Sequence, residues 1–149
     1  MLVAVLKTLF DRDLNKLYQE MEAYQTEQAL WRIAPGISNS AGNLCLHLLG
    51  NLNTYIGAEL AHTGYIRNRD LEFSAQHIPR AHLLASISAT RRVVEAALTP
   101  LSDAQLATQY PVVVWEAPTS LGYLLLHLTT HLTYHLGQIN YHRRLLDKE

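Results

Sequence analysis

Cysteine is nearly missing from this chain: Cys45 stands alone among 149 residues, which excludes an internal disulfide and any multi-cysteine zinc or iron–sulfur site. A surplus of positive charge is missing too, with 12 Lys and Arg against 13 Asp and Glu and a formal net charge of −1. That balance lacks the basic footprint of a protein that binds phosphate backbones, so no nucleic-acid partner is expected. No apolar run approaches the ~20 residues needed to span a bilayer, so no membrane association is expected. Leu2–Phe10 is broken by Lys7 and has neither a basic leader nor a small-residue cleavage site; it is not read as a signal peptide, and the expected location is the cytoplasm. There are no internal repeats, low-complexity tracts or domain-separating linkers. Carboxylates are absent from the last long apolar stretch until Asp147. Glu59-Leu-Ala-His62 has the Glu-x-x-His form of di-iron bundles, but that centre needs two such pairs and two further glutamates, and with no carboxylate on the last helix before Asp147 it is not expected; the His-Glu-x-x-His pattern of zinc proteases does not occur.

What is present fits one helical domain spanning residues 1–149. Hydrophobic residues make up 48% of the chain and charged residues 17%, enough apolar content for a single core. Leu6, Leu9, Phe10, Leu14, Leu17, Met21 and Tyr24 recur at helical spacing, predicting a first helix from Leu2 to about Ala29. Asn39-Ser40 offers an N-cap for a second helix over roughly Ala41–His62, with Gly64 as its stop. Residues 65–77 show no sustained period and read as a loop whose charges, Arg67 to Glu72, are solvated. Pro79 opens a third helix that ends before Pro100. Ser102-Asp-Ala-Gln105 resembles a capping box, Tyr110–Trp115 reads as extended, and Thr119 or Ser120 caps a fourth helix reaching about Leu146. The fold class is therefore all-α: a four-helix bundle with a longer irregular connection between the third and fourth helices.

Histidine is the residue in excess: eight occur, where an average chain of this length carries about three or four. His127, His131 and His135 are spaced four apart and stack along one helical face. On a wheel His131 lies mid-way across the apolar face, with Leu124, Leu128, His135, Ile139, Leu145 and Leu146, so His131 and His135 are expected to point inward. Buried imidazoles need partners, and two neighbours cannot both be comfortably protonated; a divalent cation on neutral rings meets both demands. His47 is the best third ligand, being on the second-helix face with Asn43, Gly50, Asn51, Thr54 and Ala58, opposite the Leu49, Leu52, Ile56 and Leu60 stripe. His127 and His142 also lie near the inward face. Spacing alone leaves open a second account, in which these are core histidines satisfied by hydrogen bonds. Cys45 reads as a buried structural thiol and Arg91 as a salt-bridge or helix-edge residue, while Tyr55 and Tyr134 could reach the edge of a pocket.

Three stretches carry a resemblance over nearly the whole length. They are Asn39-Ser40 with Leu46-His47-Leu-Leu-Gly50-Asn51, the segment Arg67-Asn-Arg69-Asp70-Leu-Glu72-Phe73, and His131-Leu-Thr-Tyr-His135-Leu-Gly137-Gln138-Ile139. In that order they resemble the DinB-like superfamily of metal-binding four-helix bundles related to the YfiT proteins. The resemblance implies a three-histidine site for a divalent metal, zinc or nickel, at His47, His131 and His135, often in a homodimer. It also implies low-molecular-weight thiols as cofactors or substrates, as in relatives that are thiol-dependent transferases. Asn51, Tyr55 and Gln138 would then line the pocket or orient the ligands. A hydrolase using bound water and a non-catalytic metal-binding or stress-response protein are the alternatives.

Overall fold

The computed structural model describes residues 1–148. Five helices carry the fold: α1 (Leu2–Glu22), α2 (Ala41–Leu52), α3 (Arg69–Ser74), α4 (Arg80–Leu98) and α5 (Leu121–Leu146). No strand forms among the described residues beyond an isolated antiparallel bridge between Gln109 and Ser120. The four long helices close a bundle in which α1 and α2 each pack against α4 and α5 and so stand diagonally across from one another. The short α3 lies against α2.

Local chemistry accounts for each boundary. Met1 provides no side-chain cap for α1; instead the Asp103 carboxylate, from the 3₁₀ turn Asp103–Ala107, accepts from the backbone N–H groups of Leu2 at 3.0 Å and Val3 at 2.9 Å. The terminal ammonium and these N–H bonds hold the Asp103 carboxyl down at about 2. The first helix stops at Glu22, earlier than its periodicity predicts. Arg80 takes the carbonyls of Glu22 at 3.2 Å and Tyr24 at 2.5 Å, which satisfies acceptors a longer helix would have used itself. Residues Gln28–Trp31 then form a separate 3₁₀ turn that buries Leu30 and Trp31. Ser40 caps α2, its hydroxyl accepting from Asn43 N–H at 3.1 Å, and Ser120 caps α5 from Tyr123 N–H at 3.1 Å. The expected capping box between Ser102 and Gln105 is present.

Beyond Leu52 the second helix widens into a π-helical segment, Asn53–Ala58, before a last α-turn, Glu59–Ala61. His62, in the left-handed region at φ +51°, ends it, rather than Gly64. The expected loop over 65–77 contains α3, capped by the Asn68 side chain accepting from Leu71 N–H at 3.2 Å. Six residues are too few to display a period, which is why this helix is invisible to pattern reading.

The core joins Leu6, Leu14 and Leu17 of α1, Leu48 and Leu52 of α2, Leu83 of α4, and Leu124 and Ile139 of α5, all essentially without exposure. Each such side chain contributes about 1.5–3 kcal/mol by leaving water. Leu145 departs from the wheel: it is 60% exposed, because the buried face of α5 runs through Leu128, Leu132, Ile139 and His142, and Leu145 lies on the outer side with Tyr134 and Tyr141. Arg91 pairs with Asp11 at 2.6 Å on the surface. No described helix is long and apolar enough to cross a membrane.

Candidate metal centre

The second helix sits so deep that Ala41–Leu52 is buried on nearly every side. Its apolar stripe meets the bundle core, and its polar side is covered by α3 and faces α5. His47 projects from that polar side and is 7% exposed. Across from it, one turn apart on α5, lie His131 and His135, both half-buried rather than fully inward. One nitrogen from each of the three rings falls within a cluster no wider than 4.8 Å.

Each histidine is held differently. The Nδ1 of His47 lies 3.1 Å from Glu72 Oε1. A carboxylate only accepts, so Nδ1 carries the proton and Nε2 keeps its lone pair. That Nε2 points at the Nε2 of His131, 3.2 Å away. Glu72 is fixed in turn by a two-pronged pair with Arg67, Nε to Oε2 at 2.7 Å and an Nη to Oε1 at 2.8 Å. The Phe73 ring packs on the His47 ring with centroids 4.9 Å apart. On α5, Gln138 Oε1 accepts from His135 Nδ1 at 2.7 Å while its amide N–H donates to the Tyr134 hydroxyl at 3.2 Å. His131 Nδ1 is buried with no partner.

Burial pushes the proton affinity of the centre down. His131 falls to about 4, first through loss of hydration and then through the neighbouring His135 and His47. His47 is lowered too, again chiefly by desolvation, against the opposing bond to Glu72. At neutral pH these two rings are uncharged imidazoles.

The donor set fits a divalent ion. Two nitrogens on one tetrahedral zinc lie about 3.3 Å apart, given Zn–N bonds near 2.0–2.1 Å. The observed 3.2 Å between His47 and His131 matches that span, and the third nitrogen needs to close only part of the 4.8 Å limit. His127 stands outside the cluster, its ring stacked on His131 at 6.2 Å and edge-on to Trp115 at 4.7 Å. His142 lies elsewhere: Tyr24 donates to its Nδ1 at 2.7 Å, and its Nε2–H donates to the Arg32 carbonyl at 2.9 Å.

Over the full stretch 2–149 the chain matches the family described as "Protein of unknown function (DUF1572)". The chain belongs to that family. No curated protein matches it. The centre of this DUF1572 member therefore has to be read from its own atoms.

Two cavities flank the histidines. One, of about 210 Å³, is lined by His47 and His131 together with Asn51, Tyr55, Arg67 and Arg69 among others. The other, of about 620 Å³, reaches His135 and Gln138 and is walled by Ile37, Tyr134, Tyr141 and Leu145. Asn51 follows His47 by one turn, and Tyr55 follows Asn51 within the π segment, so all three meet the smaller cavity from one side of the second helix. Neither Asn51 nor Tyr55 bonds to a histidine; they line the space, while Gln138 holds a ring directly.

Sequence reasoning missed Glu72. As part of a solvated loop it would be exposed, yet it is 5% exposed beneath His47. Gly50 carried the available signal. A Cβ at that position would come within 1.9 Å of Glu72 Oε2, so only glycine leaves room for the carboxylate. Asn43 completes the clamp, donating to the carbonyls of Glu72 at 3.0 Å and Ala75 at 2.8 Å, which ties α3 to α2.

Proposed function

We propose that this chain is a DinB-like metalloprotein in which His47, His131 and His135 hold one divalent cation, zinc or nickel, and that it acts on small molecules as a metal-dependent thiol S-transferase. The observation that carries the reading is the meeting of two uncharged imidazoles nitrogen to nitrogen at 3.2 Å, with the His47 proton committed to Glu72 on the far side of its ring. Without a cation this contact is met only as an N–H···N hydrogen bond from His131 to His47; a divalent cation would replace that proton and take one nitrogen from each ring. Such an ion supplies a Lewis acid that draws a thiol towards its thiolate. The protein's own part is orientation: Glu72 and Arg67 fix His47, Gln138 fixes His135, and the flanking cavities admit a thiol and an electrophile from different directions. Transfer would join the sulfur to the electrophilic carbon, the leaving group departing with its bonding pair and the thiol proton passing to solvent.

Elemental analysis of tag-free protein tests the centre. About one divalent ion per chain is expected in the wild type and almost none in His131→Ala; negligible metal in both would overturn the reading. Absorption of the cobalt-substituted protein during titration with small thiols tests the chemistry, and an unchanged spectrum with every thiol would refute thiolate ligation while leaving the metal centre standing.

A further inference from the structure

We propose that the 210 Å³ cavity beside His47 and His131 is an anion-binding subsite, so that the small molecule entering there carries a carboxylate or phosphate group. The proposal deepens the metal-centre reading by naming a substrate class, and it takes only its location from that reading.

Charge makes the first argument. No Asp or Glu lines the cavity, whereas two arginines do. The charge of Arg67 is matched by Glu72 through their paired bonds at 2.7 and 2.8 Å. Arg69 has no ion pair among the described residues; its guanidinium lies over the Phe73 ring at 5.3 Å, a contact that positions the cation without neutralising it. The wall therefore presents one uncompensated positive charge, that of Arg69.

A buried amide makes the second. Asn51 is 8% exposed, its side chain bonds to no described residue, and its Oδ1 is fully buried without a partner. An amide in a cavity wall with no protein partner leaves its N–H donors free for a ligand. The Asn51 Nδ2, bonded to no described residue and not fully buried, is the open end of the amide, so its N–H donors can meet an anionic oxygen while Arg69 supplies the charge. Contrast with the second cavity strengthens the assignment: no charged residue lines the 620 Å³ space at His135. The centre thus has one face suited to an anion and another suited to an apolar group.

Nuclear magnetic resonance of the full chain would test this, following the Asn51 side-chain amide and the Arg69 Nε–H during titration with inorganic phosphate, acetate and succinate, with succinamide as the uncharged control. At least one anion should shift both signals saturably, and it should bind at least tenfold tighter than succinamide. Arg69→Ala should weaken that anion at least tenfold, and Arg69→Lys should restore most of the affinity. No saturable shift with any of the three anions, equal binding of succinamide, or an Arg69→Ala variant within twofold of wild type would overturn the proposal. Metal content of the same samples is read independently, so a failed subsite and a failed metal centre give different results.

Discussion

Replacing Gly50 by alanine should change sign in its effect on stability according to what stands at position 72. The new Cβ would start 1.9 Å from Glu72 Oε2, and real Cβ contacts essentially never fall below 3.0 Å, so the oxygen must retreat by about 1.1 Å or more. That retreat breaks at least one of the bonds that hold the carboxylate, to Arg67 at 2.7 and 2.8 Å or to His47 at 3.1 Å. A lost hydrogen bond to a charged group costs about 1.5–3 kcal/mol, whereas alanine in place of glycine inside a helix returns about 1 kcal/mol. Gly50→Ala should therefore destabilise the wild type by about 0.5–2 kcal/mol. In a Glu72→Ala background the space is vacant, and the same change should stabilise by about 1 kcal/mol. Urea unfolding of the four metal-free proteins measures the cycle, and competition with a chromophoric chelator measures metal affinity alongside. Gly50→Ala and Glu72→Ala should each lower that affinity about 10- to 100-fold, with little further loss on combining them. Gly50→Ala stabilising the wild type as much as it stabilises Glu72→Ala would refute the steric argument, and additive losses of metal affinity would refute the route through Glu72.

Gln138→Ala should weaken metal binding by about tenfold, the low end of the range for such partners, because His135 is half-buried and water can replace the amide; the same chelator competition checks it. Desolvation lowers the affinity of buried His142 for a proton in the folded state, against the opposing Arg32 carbonyl bond and the nearby Asp147. The unfolded chain therefore binds the proton first, and the contribution of His142 to stability, intact above its ordinary value of 6.5, is lost as pH falls below it. His142→Gln should be less stable at pH 7 by about 1–3 kcal/mol, through its bonds to Tyr24 and Arg32, and should lose less further stability between pH 7 and 5, as urea titrations at each pH will read.

The long helices were legible because each buries a stripe over several turns. The α5 pattern held at Leu124, Leu128 and Ile139 and failed at Leu145, which lies on the outer side with Tyr134 and Tyr141 while the buried face continues to His142. The histidine pair on α5 was legible for the same reason, four residues being about one turn. His47 could be placed on a polar side of α2, but a wheel does not say what covers that side. The cover is α3, whose six residues are fastened by side-chain-to-backbone bonds from Asn43 rather than by an apolar face. Glu72 was hidden with it, since an acid followed by Phe and Ser in a charged stretch resembles any surface loop until Gly50 is seen beneath it.

One side of the second helix thus performs several tasks in succession. Asn43 clamps α3, His47 offers a nitrogen, Gly50 makes room for the carboxylate behind that nitrogen, and Asn51 and Tyr55 open onto the cavity. The π segment begins at Asn53, so Tyr55 is carried on a wider turn than an α-helix would provide; the Tyr110 hydroxyl donates to its carbonyl at 2.7 Å and helps satisfy the displaced backbone. Because α3 is too short to persist alone, its docking and the orientation of His47 are one event. A cation that binds the oriented ring must then stabilise the docked α3, and the clamp from Asn43 must raise affinity for the cation by the same free energy. The buried Arg67–Glu72–His47 chain is best understood through that linkage: a buried ion pair adds little to stability by itself, but here it sets which nitrogen of His47 is left free.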